Sequence, residues 1–307
     1  MIPVFLILTF LVFVLSDFAP GSAVDLIASE QNLTEEAYEA LEHAYGLDRP
    51  ILVRYGDWLL HVARGDMGMS IRSKQDIHTM IMDRLGPSLL LMLTGLVLAI
   101  IIAIPLGVLA AYKPYSFFDH LSSTIAFLGN AMPSFFLGLC ILYLFSAKWG
   151  ILPGYGMYTA GAEPTLPDLI MHLIMPSFVV AFTLIGSIVK QTRGGLLEVL
   201  NEDYVKTARA KGLLEYKVII KHGLRNALIP IITVISLNVP YIVGGAVIIE
   251  QIFSWPGIGS LMITGLTGRD FNIVMGVTTM ICFVVMICNL VLDVFYGVID
   301  PRISRNK

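Results

Sequence analysis

Six long apolar runs, separated by polar stretches, dominate the pattern of hydrophobic and polar positions along the chain. A transmembrane helix needs about 20 apolar residues, because the hydrocarbon layer is about 30 Å thick and an α-helix rises about 1.5 Å per residue. Six runs meet this requirement: Ile2 to Phe18, Ser88 to Tyr112, Leu121 to Phe145, Leu169 to Val189, Leu228 to Ile249 and Ile273 to Val298. Prolines lie inside four of them, at Pro105, Pro133, Pro176 and Pro240. We therefore expect kinked helices.

The composition agrees with a membrane protein. Of 307 residues, 56% are hydrophobic and 14% are charged, and the mean hydropathy is +0.78. Soluble domains are more polar than this. We predict an all-α, polytopic membrane protein with six kinked transmembrane helices. The cysteines lie in apolar runs without metal-binding spacing, which argues against a disulfide framework or a zinc site.

Basic residues in the short connections predict the orientation. Twelve Lys and Arg lie in the second-to-third and fourth-to-fifth connections and the C-terminal tail, against two in the short loops of the opposite side. By the positive-inside rule, both termini and residues 190–227 are cytoplasmic. No basic residue precedes the first run and no small-residue cleavage site follows it, so we interpret it as a retained helix and not as a signal peptide.

The same pattern divides the chain into three parts. Residues 1–18 are the first transmembrane helix, residues 19–87 an extracytoplasmic segment, and residues 88–307 a five-helix core with a cytoplasmic loop at 190–227. Apolar residues at helical spacing predict two short surface helices in the extracytoplasmic segment. One ends at Gly46 and the other starts at Pro50.

The cytoplasmic loop is too polar to cross lipid and too regularly patterned to be a linker. One apolar face recurs at helical spacing through Leu197, Leu200, Tyr204 and Ala208. Gly212 can adopt the left-handed conformation that ends a helix. We predict a short helix ending there, with small residues rimmed by positive charge. The positive-inside rule alone would explain the charge, but not the Ala-x-Ala-x-Gly pattern before Gly212.

This loop resembles the so-called EAA motif in permease subunits of the peptide and nickel class of ABC importers. Asp203 to Gly212 reads DYVKTARAKG, and Arg225 to Pro230 reads RNALIP. Further stretches match the family in order: GLDRP at 46–50, GDMG at 65–68, FSWPGIG at 253–259 and DPR at 300–302. The acidic residue of the general motif is replaced near Lys206 and Thr207, and the gap to Pro230 is longer, both of which are typical of this subfamily.

The resemblance implies a type I ABC importer-like permease fold, in which the helix ending at Gly212 is a coupling helix that sits in a groove of a separate ATPase subunit. The implied coupling residues are Asp203, Tyr204, Thr207, Ala208, Arg209, Ala210 and Gly212. An outer loop with Trp255, Pro256, Gly257 and Gly259 is expected to dip toward the path or to meet a substrate-binding protein. An anchoring role for Trp255 at the lipid headgroups is the alternative.

The family also implies the partners. A second homologous permease would complete the passage, two cytoplasmic ATPases would drive alternating access in a prokaryotic inner membrane, and an extracytoplasmic binding protein would deliver the cargo. Peptides are the expected cargo, with nickel or nickel chelates as the alternative. The sequence has no Gly-Lys dipeptide and hence no Walker A loop, and it shows no catalytic or metal-ligand spacing. We expect ATP and Mg²⁺ on the partner ATPases, no cofactor or catalytic residue on this chain, and no nucleic acid partner.

Polar residues inside the apolar runs are candidates for the translocation path, since they are costly in lipid. They are Asn130, Ser134, Asn238 and Tyr241. Interhelical hydrogen bonding is the alternative explanation. His172 is expected to pack between helices and not to bind a metal. An ion-coupled secondary transporter is the alternative from another class, but it would need carboxylates in the middle of the membrane. The candidates lie near the ends of the runs: Asp17, Glu250 and Asp293.

Overall fold

The computed structural model describes residues 2–18, 34–44, 46 and 48–299, and this part of the chain is mainly helical and has no β-strand apart from one isolated β-bridge, between Met69 and Asp76. Inside the helices, the side chains of 229, 239–245, 292–293 and 295–299 are outside that part. The helices are α1 Ile2–Asp17, α2 Glu35–Ala44, α3 Ile51–Ala63, α4 Ile77–Tyr112, α5 Phe117–Ala131, α6 Ser134–Ile141, α7 Leu166–Leu200, α8 Asp203–Ala210, α9 Glu215–Lys217, α10 Arg225–Ile252, α11 Ile258–Thr267 and α12 Phe271–Ile299. Two π-helical turns, Leu142–Lys148 and Val218–Leu224, continue α6 and α9. The predicted all-α class is confirmed.

Length and composition identify the helices that can cross a membrane. Among the described residues, three suffice alone: α4, α7 and the Phe271–Val291 part of α12. Two bent pairs raise the number to five, namely α5 with α6 and its π-helical turn, and Glu215–Leu228 with Pro230–Asn238. α1 is apolar but has only 16 residues, so it is shorter than the first of the six predicted spans.

The third predicted span, Leu121 to Phe145, is broken and is not one kinked helix. α5 ends at Ala131, and the next two residues, Met132 and Pro133, have extended backbone angles (ψ 120° and 135°). Proline disfavours the helical conformation in the residue before it and has no N–H to donate. The chain bends by 105° before α6 continues. By contrast, Pro176 lies within the unbroken α7.

The two short helices predicted for residues 19–87 are present. α2 is followed by Gly46 at φ +64°, in the left-handed region that the sequence assigned to a helix stop. α3 starts directly after Pro50. α11, which begins two residues after Pro256, was not predicted from the sequence. Its buried residues Ile258, Leu261 and Gly265 recur at helical spacing, a signal that the loop-like motif before it obscured.

The chain forms two compact units. One comprises Met1–Ser88 and Pro256–Met286, and the other Leu89–Trp255 and Ile287–Lys307. In the first unit, the Tyr55 hydroxyl on α3 donates to the Leu6 carbonyl of α1 at 3.0 Å. The buried Asp270 carboxylate accepts a hydrogen bond from the Ser70 hydroxyl at 2.7 Å and so joins segments distant in sequence.

The second unit is built around α7. Its buried core includes Leu184, Ile188 and Leu196 of that helix. Glycines allow α5 and α7 to approach closely, because a Cβ at Gly129 or at Gly186 would lie only 2.8 Å from a carbonyl oxygen of the other helix. Small residues serve the same purpose wherever membrane helices pack backbone against backbone.

Candidate functional site

The predicted coupling helix is α8, which follows a short break after α7. α7 ends at Leu200, and the extended Glu202 (ψ 149°) starts the eight residues of α8 in a new direction. Gly212 follows the end of α8 and has φ +74°, where a residue with a side chain would be strained. The left-handed glycine that the sequence predicted is therefore present. We call residues 202–217 the coupling segment.

α8 presents one apolar face to the protein and a polar face to the outside. Val205 and Ala208 belong to the same buried core as Leu200 and Val218, and Ala208 is only 6% exposed. The other predicted coupling residues are exposed: Asp203, Tyr204, Thr207, Arg209, Ala210 and Gly212. The structure thus separates Ala208, which packs against the protein's own core, from the residues that are free to meet a partner.

Arg209 ties the coupling segment to its neighbours. Its Nη2 lies 2.8 Å from Glu215 Oε1 at the start of α9, and its Nη1 donates to the Leu200 carbonyl at 3.5 Å. The side-chain amide of Asn226 in α10 donates to the Tyr204 hydroxyl at 3.0 Å. The coupling segment is therefore fastened both to the end of α7 and to the start of α10. None of these side-chain contacts was visible in the sequence pattern.

A second pair of charges lies on the exposed face of α8. Lys206 Nζ is 2.8 Å from Asp203 Oδ1, and both side chains are well exposed. The hydrogen bond from Lys206 lowers the pKa of Asp203, and the same bond raises the pKa of Lys206. Water screens such a pair, so it contributes little to stability. Asp203 lies in the first turn of α8, where the helix dipole favours an acidic residue.

Large apolar side chains are also exposed in the residues that follow Gly212. They are Leu213, Leu214, Tyr216 and Ile220. Large apolar side chains grouped on a polar surface mark contact sites. These residues were not predicted as part of the site, although two consecutive leucines, Leu213 and Leu214, in a polar loop are a visible signal. Leu213, Leu214 and Tyr216 thus add exposed apolar side chains to the coupling segment, and Ile220 lies just after it.

The predicted outer loop is buried and is partly helical. Trp255 is fully buried in the core of the second unit, and its backbone N–H donates to the Glu250 carbonyl at 2.8 Å. The indole therefore does not lie at lipid headgroups, which was the alternative interpretation. Pro256 is partly buried, and Gly257 and Gly259 are buried at the start of α11, where the Ser88 hydroxyl accepts the N–H of Ile258 at 2.7 Å.

The candidate path residues have different surroundings. Asn130 is exposed near the end of α5, and Ser134 is partly buried at the start of α6. Asn238 donates to the Ser187 hydroxyl at 3.3 Å, which is an interhelical hydrogen bond between α10 and α7. Tyr241 is part of α10, but its side chain is outside the described part of the structure. A role in the path stays a prediction for these residues. For Asn238, the contact with Ser187 supports the alternative, which is interhelical hydrogen bonding.

His172 is buried, and its Nδ1 lies 2.9 Å from the Asp168 carbonyl oxygen one turn earlier in α7. This contact fits the expected packing role. In the described ranges, no three His, Cys, Asp or Glu side chains come together in a way that could hold a metal ion.

An ion pair that the sequence did not predict joins α5 to α7. Arg193 binds Asp119 with two parallel hydrogen bonds, Nε to Oδ1 at 2.6 Å and Nη2 to Oδ2 at 2.9 Å. Asp119 is nearly fully buried and also accepts the backbone N–H of Tyr115 at 2.8 Å. The two charged residues are 74 positions apart, so no local pattern reveals the pair.

The chain is similar in sequence to a family of transport proteins and to individual permeases. The profile of the family described as "Binding-protein-dependent transport system inner membrane component" matches residues 103–305. The oligopeptide transport system permease protein AppB of Bacillus subtilis is 41% identical over 304 residues, covering 99% of this chain and 96% of the relative. The dipeptide transport system permease protein DppB of Escherichia coli is 35% identical over 327 residues, covering 100% of this chain and 96% of that relative.

The fold also resembles a solved structure. A chain of the MetNI methionine ABC transporter, in an inward-facing conformation, matches with a TM-score of 0.58 and 15% identity, over 72% of this chain and 96% of that chain. At this identity the likeness concerns the fold, and it agrees with a type I importer permease.

Proposed function

Since the chain belongs to the family of binding-protein-dependent transport system inner membrane components, and so is a multi-pass inner membrane permease of an ABC importer, we propose that its coupling segment receives an ATPase subunit. The observation that carries this proposal is the division of α8 into a buried and an exposed face. Val205 and Ala208 fix the helix to the permease, while Tyr204, Thr207 and Ala210 stay exposed.

The contacts of the coupling segment explain how movement would reach the membrane helices. Arg209 holds the end of α7 through the Leu200 carbonyl, and Tyr204 holds the start of α10 through Asn226. α7 and α10 both continue into apolar segments. A displacement of α8 by an ATPase would therefore pull directly on two membrane helices.

We place the chain in a larger assembly. A second homologous permease completes the passage, two cytoplasmic ATPases bind ATP and Mg²⁺ and hydrolyse the ATP, and an extracytoplasmic binding protein delivers cargo. This chain itself contributes no catalytic residue. Its termini and the coupling segment face the cytoplasm, which the distribution of basic residues supports.

Peptides are the proposed cargo. The names of the two permease relatives, an oligopeptide and a dipeptide transport protein, favour peptides over nickel or nickel chelates. Uptake of a labelled dipeptide, in cells that carry the complete importer, is measured with unlabelled dipeptides, longer peptides or nickel ions as competitors. The cargo proposal requires that a peptide, and not nickel, reduces uptake of the label.

The docking proposal is tested by placing a bulky residue on the exposed face of α8. Ala210→Trp should abolish co-purification of the ATPase, because the indole would hold the partner away from the helix. Ala147→Trp is a matched control, since Ala147 is an exposed alanine in the π-helical turn after α6, far along the chain from α8. Normal co-purification of the Ala210→Trp protein would contradict docking on this face.

A further inference from the structure

Exposed aromatic side chains are concentrated in one short connection between α4 and α5. We call residues 112–118 the aromatic loop. Tyr115 is 87% exposed and Phe117 is 72% exposed. Tyr112 and Phe118 are also among the exposed large side chains. Four exposed rings in seven residues are unusual for a surface in water, and they mark an interaction site.

The loop begins where a membrane helix ends. α4, which ends at Tyr112, is long and apolar enough to cross the bilayer by itself. The predicted apolar run, Ser88 to Tyr112, ends at the same residue, which puts the aromatic loop at the level where hydrocarbon meets water. The positive-inside rule places that level at the cytoplasmic leaflet. The Lys113 ammonium lies 5.7 Å from the centre of the Tyr112 ring. Aromatic rings together with a basic residue suit lipid headgroups, and the charge of Lys113 complements anionic lipids.

The backbone at the tip of the loop is held in an unfavourable conformation. Tyr115 has φ +62°, which is uncommon for a bulky residue. The buried Asp119 carboxylate accepts its N–H at 2.8 Å, and Arg193 in turn holds the carboxylate with two hydrogen bonds. Strained backbone persists where the surroundings enforce it, and it is frequent at functional sites. Here the strain directs an aromatic side chain outward.

We propose that the aromatic loop anchors this end of α4 and α5 in the headgroup layer of the adjacent leaflet, and that Asp119 and Arg193 are the positioning residues that present Tyr115 to the lipid. Because the loop directly follows the apolar run that ends at Tyr112, lipid is the neighbour that its position provides. The proposal is independent of the ATPase docking on α8.

Spin-label accessibility tests this in the full-length chain in nanodiscs of phosphatidylcholine and phosphatidylglycerol. A nitroxide is attached at Tyr115→Cys after the native cysteines, Cys140, Cys282 and Cys288, are replaced by alanine. A matched label at Lys211→Cys reports an exposed site beside α8. We expect several-fold fewer collisions with a water-soluble nickel chelate, and more collisions with oxygen, at position 115 than at position 211.

Two results would overturn the anchor. One is equal accessibility to the nickel chelate at both positions, which would place the loop in water. The other is protection of position 115 from both oxygen and nickel, which would mean that a protein surface covers it.

The positioning role has its own readout. In the Tyr115→Cys background, Asp119→Asn and, separately, Arg193→Lys should shift the accessibility at position 115 toward the values of position 211. Arg193→Lys keeps the charge but loses the two-pronged contact, and it serves as the second variant if Asp119→Asn does not fold. Unchanged accessibility in a variant that elutes as a folded protein would refute the positioning role.

Discussion

The coupling segment and the turn that ends in Trp255 use their motif residues in opposite ways. In the coupling segment, Tyr204 and Ala210 point outward, and a few side-chain hydrogen bonds hold the segment in place. In the turn, Trp255 is buried, and backbone hydrogen bonds such as that from the Gly156 N–H to the Phe253 carbonyl, at 2.8 Å, fix it. Both stretches were assigned to family motifs from the sequence, but only the first leaves its side chains exposed. The resemblance therefore pointed to two regions, and the structure shows which of their residues are buried.

The largest effect on stability is expected in the turn. Trp255→Ala should lower the free energy of unfolding by about 3–5 kcal/mol, because it leaves a large cavity in a closed core. Thermal unfolding in detergent measures this. Tyr204→Ala in the coupling segment should change the stability far less. If the two variants unfolded at the same temperature, the contrast between the regions would be wrong.

A pair of alanines in α8 sharpens the contrast within one helix. Ala208→Trp should destabilise the permease by about 1–3 kcal/mol, because the indole would overpack the core. Ala210→Trp should leave the unfolding temperature almost unchanged, since that position is exposed. The same thermal scan in detergent compares them. A stable Ala208→Trp protein would mean that α8 can turn its inner face outward.

The ion pair between Arg209 and Glu215 should matter more for coupling than for stability. Its side chains are 41% and 38% exposed, so its removal should cost about 1 kcal/mol or less. Glu215→Ala should nevertheless reduce transport-linked ATP hydrolysis in the reconstituted importer, because α8 would lose its tie to α9. The exchanged variant, with Arg209→Glu and Glu215→Arg, should recover part of the activity. No recovery would indicate that Arg209 acts on the ATPase directly.

The smallest effect concerns pH. The pKa of Asp203 is lowered by the hydrogen bond from Lys206, so its contribution to stability is complete above the unfolded pKa of about 3.9 and is lost as the pH falls through the lower folded value. The pKa of Lys206 is raised, so its contribution to stability is complete below the unfolded value of about 10.4 and is lost as the pH rises through the higher folded value. Asp203→Asn should therefore differ slightly from the wild type at neutral pH and converge with it in acid. Unfolding curves at several pH values test this, and a constant difference would refute the pair.

Local signals in the sequence predicted what depends on local physics. Gly46 and Gly212 end helices because glycine alone adopts positive φ without strain, and both were identified correctly. Among the described residues, five of the six apolar runs overlap with the three helices and two bent pairs that can cross a membrane, and the first run coincides with the shorter α1. Hydropathy did not reveal that α5 and α6 are separated by a bend, because a broken helix is as apolar as a straight one.

Features that depend on distant contacts could not be predicted. The predicted apolar face contained Ala208, which is buried, but also Tyr204, which is exposed, because α8 starts anew after α7 and packs on the core through Val205. The contact between Asp119 and Arg193 joins residues far apart in the chain. The burial of Trp255 likewise follows from the assembled core and not from its neighbours in sequence.

The docking of an ATPase on the outer face of α8 is tested most directly by site-specific photo-crosslinking in the assembled importer. A photoreactive amino acid is placed at Thr207, at Ala210 or at the inward-facing Val205, one position at a time. We expect adducts with the ATPase subunit from Thr207 and Ala210 and none from Val205, whose side chain is buried in the permease core. Adducts from Val205 alone, or no ATPase adduct from either exposed position, would contradict docking on this face.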